Sequence, residues 1–100
     1  MNLNEISNLL GKVSDIYETR FGIERDRDWY LLKIQEELGE LTKVFLQMSN
    51  RARKGKETPS ELIRHLRDEI ADVIAITILF AQTQDVDVES ALREKWFKHL

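Results

Sequence analysis

Only four glycines and one proline interrupt 100 residues, and between them apolar side chains recur at intervals of three and four. That pattern withholds the tight turns an all-β domain needs and selects amphipathic helices, so the expected fold class is all-α. The spacing predicts a helix over 4–20 with Ile6, Leu9, Leu10, Val13, Ile16 and Tyr17 on one face. Phe21, Gly22 and the charged run 23–27 then form a connection. A second helix over 28–50, N-capped by Asp28, carries Leu31, Ile34, Leu38, Leu41, Phe45 and Met48 as its stripe. After a basic, glycine-containing loop over 51–57, Thr58, Pro59 and Glu61 read as an N-cap, a proline in the first turn and a capping-box partner for a third helix over 59–84. Asp87 caps a last helix running from 88 to the C-terminus.

A chain of this length forms one domain with a single core. It has no cysteine, which excludes a disulfide scaffold and a thiolate zinc site. Fifteen Lys and Arg against 18 Asp and Glu leave a net charge of -3, which argues against a nucleic-acid polymer as partner. The longest uncharged run, 73–84, falls short of the roughly 20 apolar residues that cross a bilayer. The first ten residues lack the basic and long apolar regions of a signal peptide. A cytoplasmic protein with no membrane partner is expected.

Two clusters of acids break the helical pattern: Glu36, Glu37 and Glu40 in EELGEL, and Glu69 and Asp72 in DEIADV. At about 100° per residue the first three fall in one quadrant of helix two, flanking Ile34, Leu38 and Leu41. They read equally as a solvated face, with Lys33 and Lys43 as helix partners. Glu69 is harder to explain. It shares the direction of Leu62, Leu66, Val73, Ile76 and Phe80, and its neighbours one turn away, His65 and Val73, offer no strong cation. A carboxylate so placed costs several kcal/mol, takes up a proton, or meets a metal. Carboxylate oxygens without cysteine or paired histidines suit Mg²⁺ or Mn²⁺. A di-iron bundle needs Glu-x-x-His, and neither Glu37 nor Glu69 has a histidine three residues on.

Glu36-Glu37-Leu-Gly-Glu40, followed by Glu69-Ile-Ala-Asp72, resembles the E-E-x-x-E and E-x-x-D motif pair of the MazG-like nucleotide pyrophosphohydrolases, in the all-α NTP pyrophosphatase superfamily. The likeness spans about 29–100, including Asp72-Val-Ile and Lys95-Trp96. It implies Mg²⁺-dependent hydrolysis of a nucleoside triphosphate between the α- and β-phosphates, giving the monophosphate and pyrophosphate, with clearance of noncanonical or surplus nucleotides as one such role. It further implies Glu37, Glu40, Glu69 and Asp72 as metal ligands, with Glu36 orienting or deprotonating the attacking water.

Lys95 matches a lysine of the family's last helix, and Lys54 and Lys56, in the loop between the motifs, are phosphate candidates. These loop lysines, with Arg53, read as readily as a solvated basic loop. Trp29 is a candidate for stacking a base or for simple packing. Phosphoribosyl-ATP pyrophosphohydrolase, of the same superfamily, is the enzyme alternative. A non-catalytic helical interaction module is the alternative outside enzymes, and Glu69 in the apolar stripe speaks against it. The segment IADVIAITILF is apolar nearly all round, more than four short helices can cover, so a four-helix antiparallel bundle-like domain is expected to be completed as a homodimer or dimer of dimers.

Overall fold

In the computed structural model, which describes all residues from Met1 to Leu100, the chain is four α-helices and a short 3-10 turn, with no strand. The helices are α1 (Leu3–Phe21), α2 (Arg27–Met48), α3 (Pro59–Thr83) and α4 (Val88–Lys95), and the 3-10 turn is Phe97–His99. Each boundary has a local cause. Asn2, Asp26, Thr58 and Asp87 each accept a backbone N–H from three residues on, and Thr58 and Glu61 complete a capping box behind Pro59. Gly22, at φ 64°, closes α1 in the left-handed region where a side chain is disfavoured. The N-cap of α2 is thus Asp26 rather than Asp28, because the Asp26 carboxylate reaches the Trp29 amide. The last helix stops at Lys95 instead of running to the terminus.

The antiparallel pair α2 and α3 is the main packing unit. Its contact line on α2 is Tyr30, Ile34, Glu37, Leu41, Val44 and Met48, all buried or half-buried. On α3 it is Leu62, Leu66, Glu69, Val73, Ile76 and Phe80. The expected α3 stripe is at least half-buried, but Ile78 and Leu79, outside it, are covered as fully as Leu62 is; the α2 stripe is rotated. Leu31, Leu38 and Phe45, expected in the core, are each about half exposed, while Tyr30 (6% exposed) and Val44 (8%) are covered. Two apolar lines run along α2, and α3 covers one of them.

Helix α1 departs further from its expected role. The residue it buries is Ser14, whereas Ile6, Leu9, Val13, Ile16 and Tyr17 remain substantially exposed. Polar contacts hold it in place. The Ser14 hydroxyl and Tyr30 hydroxyl share a buried hydrogen bond of 2.5 Å to α2. Gln82 of α3 donates to the Ser7 carbonyl and hydroxyl, each at 2.7 Å.

Only six of 100 residues are buried, so a single chain leaves much of its apolar surface uncovered. Helical phase puts Leu31, Leu38 and Phe45 of α2 and Ile63, Ile70 and Ile74 of α3 on one broad face of the hairpin, opposite the face that α1 covers. The expectation that 70–80 would be buried on most sides is therefore not met within one chain, where Ile74 is 55% exposed. No helix is long and apolar enough to cross a membrane.

Removing the Tyr30 hydroxyl tests how α1 is held. Tyr30→Phe is expected to lower unfolding free energy by about 1–2 kcal/mol, because buried Ser14 loses its short partner. A denaturant midpoint equal to that of the wild type would show that this hydrogen bond does not anchor α1.

Candidate metal centre

Glu37 projects from the middle of α2 toward α3, one turn beyond Lys33. Glu69 projects from α3 toward α2, and Asp72 lies one turn further along α3. Oxygen atoms from these three carboxylates lie within 4.8 Å of one another. The side chain of Glu37 is only 15% exposed. Glu69 is half-buried, and its Oε2 is shielded from solvent with no hydrogen-bond partner.

Burial is the main reason the Glu69 carboxyl titrates above the usual carboxylate range. The negative charges of Glu37, Asp72 and Glu40 push it the same way. Without a cation, Glu69 is thus under pressure to stay protonated.

The group is of a size that suits one ion. Oxygens on opposite sides of Mg²⁺ lie roughly 4.2 Å apart, twice the usual Mg–O distance of about 2.1 Å. An all-oxygen donor set that includes Glu69, whose Oε2 is shielded and unpartnered, fits a hard divalent cation.

The acids from the two motifs are not equivalent. Glu40 stands outside the closest trio but near enough for its charge to act on Glu69. Glu36 is mainly solvent-exposed and hydrogen-bonded to the Lys33 ammonium at 2.6 Å. Lys33 also lies 3.8 Å from Glu37 and 5.8 Å from the Trp29 ring centre. The hydrogen bond to Glu36 raises the Lys33 pKa, partly opposed by burial. Lys33 therefore partners Glu36 and Glu37, as helix spacing allowed, whereas Lys43 and Glu40 form no ion pair.

A cavity of about 360 Å³ opens beside the trio, with Glu37, Asp72 and Lys33 in its wall. Trp29 lines it as well, so the structure brings this candidate to the acids. Lys54 instead borders a separate cavity with Glu57 and Leu62. Lys56 and Lys95 are exposed, and neither lines the acidic cavity.

Three residues of that wall were not singled out from the sequence: Ser14, Tyr17 and Arg25. Tyr17 looked like an ordinary member of an apolar stripe, and Arg25 one of several charges in a connection. Nothing in their local spacing marks them, because the wall forms only when α1 and the 22–26 turn fold against the α2–α3 pair. No protein-family model, curated protein or solved structure matches this chain.

The sign of the Glu69 shift gives a stability test. A carboxyl whose pKa rises on folding stabilises the folded state least when ionised, so the penalty is absent in acid and grows as pH rises through its folded pKa. Metal-free Glu69→Gln is expected to melt above the wild type at neutral pH, with the gap closing in acid. Equal melting at both pH values would mean that Glu69 carries no such penalty.

Proposed function

We propose that this chain is a Mg²⁺-dependent nucleotide pyrophosphohydrolase, acting in the cytoplasm on nucleoside triphosphates, including noncanonical or surplus ones. The observation that carries this reading is the Glu37, Glu69 and Asp72 trio, with its shielded Glu69 oxygen, beside a cavity of nucleotide-binding size that Glu37 and Asp72 line. The resemblance of the two acidic motifs to the MazG-like family supports the same chemistry. The alternative of an interaction module leaves Glu69 without a purpose. Phosphoribosyl-ATP would undergo the same bond cleavage, so it belongs among the substrates to be compared.

Glu37, Glu69 and Asp72, joined by Glu40 one turn beyond Glu37, would hold Mg²⁺ or Mn²⁺. When bound, the ion supplies positive charge to the triphosphate oxygens and to the departing pyrophosphate. The chain's own residues do the rest. Lys33 fixes Glu36 and Glu37 relative to each other through its 2.6 and 3.8 Å contacts. Glu36, turned to solvent, accepts the proton of a water that adds across the α–β anhydride bond, releasing monophosphate and pyrophosphate. Trp29 walls the cavity for the nucleoside. Lys54, Lys56 and Lys95 remain candidates for outer phosphate contacts and carry no step here. Positioning and charge stabilisation account for the rate.

A homodimer or dimer of dimers is part of this reading. It is supported by the uncovered face of Leu31, Leu38, Phe45, Ile63, Ile70 and Ile74, opposite the cavity. Contiguous apolar surface of that extent marks an interaction site, and a second copy offers a matching face.

Two measurements follow. Canonical, deoxy and modified triphosphates, together with phosphoribosyl-ATP, should release pyrophosphate only with Mg²⁺ or Mn²⁺, and Glu69→Gln should slow release by about 10²-fold or more, the scale of losing one preorganised charge-stabilising group. Equal, metal-independent background from both proteins would refute the enzyme. Sedimentation should give a dimer or tetramer, and Phe45→Lys with Ile74→Lys should shift it toward monomer. A monomeric wild type would overturn the assembly.

A further inference from the structure

The acidic cavity has a second polar pole. Arg25, in the turn between α1 and α2, lies with its guanidinium carbon 4.5 Å from the Trp29 ring centre and 5.3 Å from that of Tyr17. Its backbone N–H donates to Glu18 at 2.6 Å, which fixes the turn. The guanidinium itself is poorly used by the protein. It forms no ion pair, its one hydrogen bond is a long 3.4 Å contact from Nη1 to the Ser14 hydroxyl, and its Nε is shielded without a partner. A buried donor left unpaired is unfavourable, so the stack alone is an incomplete account of this side chain. Lys33, the other cation of the wall, is already committed to Glu36 and Glu37.

Guanidinium offers donors only, in a fixed planar fork. With Nη1 directed at Ser14, the edge left over is the one carrying Nε and Nη2. Such an edge takes two adjacent acceptor atoms. Tyr17 and Trp29 flank the guanidinium, and besides its charged residues the cavity wall carries Leu10, Val13 and Leu79, apolar surface that suits a flat ring better than a hydrated phosphate.

We propose that Arg25 reads the nucleobase, selecting bases that present two neighbouring acceptors on one edge. This deepens the nucleotide reading above and rests on it. Guanine presents O6 beside N7, the pair that arginine forks recognise, and cytosine presents O2 beside N3. Adenine sets its amino donor beside each acceptor of its outer edges, and uracil places an N–H between its two carbonyls. The site therefore favours guanine and cytosine over adenine and uracil. Arg25 meets the base as a specificity residue and takes no part in the bond cleavage at the acids.

Binding of GMP, CMP, AMP and UMP to the full chain with Mg²⁺ tests this, with ribose 5-phosphate as a base-free control. Calorimetry reads affinity, and Trp29 fluorescence in a Trp96→Phe background reports occupancy beside Arg25. The expected result is tighter binding of GMP and CMP by about tenfold or more, the discrimination typical of a bidentate contact, reduced to near parity in Arg25→Met. Arg25→Lys keeps the charge and the stack but loses the fork, so it too should lose the preference, and it serves if Arg25→Met does not fold.

Four results would overturn the inference: no preference in the wild type; unchanged ratios in the variants, which makes Arg25 a brace; equal weakening of all ligands and of ribose 5-phosphate, which makes it a phosphate contact; or tighter binding on its removal, which makes it an occupant of the base site. Monophosphates bind without turnover, so the outcome is independent of pyrophosphate release. A chain that hydrolyses triphosphates but keeps its base ratios in the Arg25 variants retains the function and loses this inference.

Discussion

The arrangement depends on one opposition, Glu69 of α3 facing Glu37 of α2 within the contact line of the hairpin. Apolar residues stand on either side of both: Ile34 and Leu41 along α2, Leu66 and Val73 along α3. Packing those neighbours brings the carboxylates together and strips water from Glu69 in the same step. Native domains are stable by only about 5–15 kcal/mol, and a desolvated carboxylate pair is a sizeable charge against that margin. The hairpin tolerates it by keeping Asp72 exposed and by placing Lys33 beside Glu37. In the proposed reading a divalent cation would remove the penalty at its source, and the same opposition that weakens the empty fold would supply the site's affinity.

The hairpin has two unlike faces, and the division of labour follows from them. On one side, α1 and the 22–26 turn close over the acids and leave a cavity whose wall holds both the acids Glu37 and Asp72 and the cations Lys33 and Arg25. Small and polar residues make that closure possible: Ser14 reaches Tyr30, and Ser7 accepts from Gln82. An α1 packed by its apolar stripe would fill that cavity. On the other side, α2 and α3 present apolar residues that nothing in the chain covers. A second copy on that face would add the core that one chain lacks without obstructing the cavity.

The all-α class, the four helices and the capping of α3 were legible in the sequence because each rests on local chemistry, as in Thr58, Pro59 and Glu61. Glu69 was legible as well, since a charge in an apolar stripe is visible in helical phase. What local pattern does not encode is which stripe the partner helix selects. Helix α2 carries two, and Glu37, read as flanking the core, lies within it once α3 packs along Tyr30 and Val44. The same limit explains α1, whose apolar face predicted burial but whose serines make the contact. Arg25 was illegible for a stronger reason: its surroundings come from residues of α1 and α2 that meet only in the folded chain.

A crystal structure of the protein grown with Mn²⁺, with anomalous difference density collected near the manganese edge, tests the central claim most directly. A peak bounded by carboxylate oxygens of Glu37, Glu69 and Asp72 is expected, as is its loss in Glu69→Gln. No peak there at saturating Mn²⁺, or one held by other residues while Glu69 stays turned into the helix contact, would contradict it.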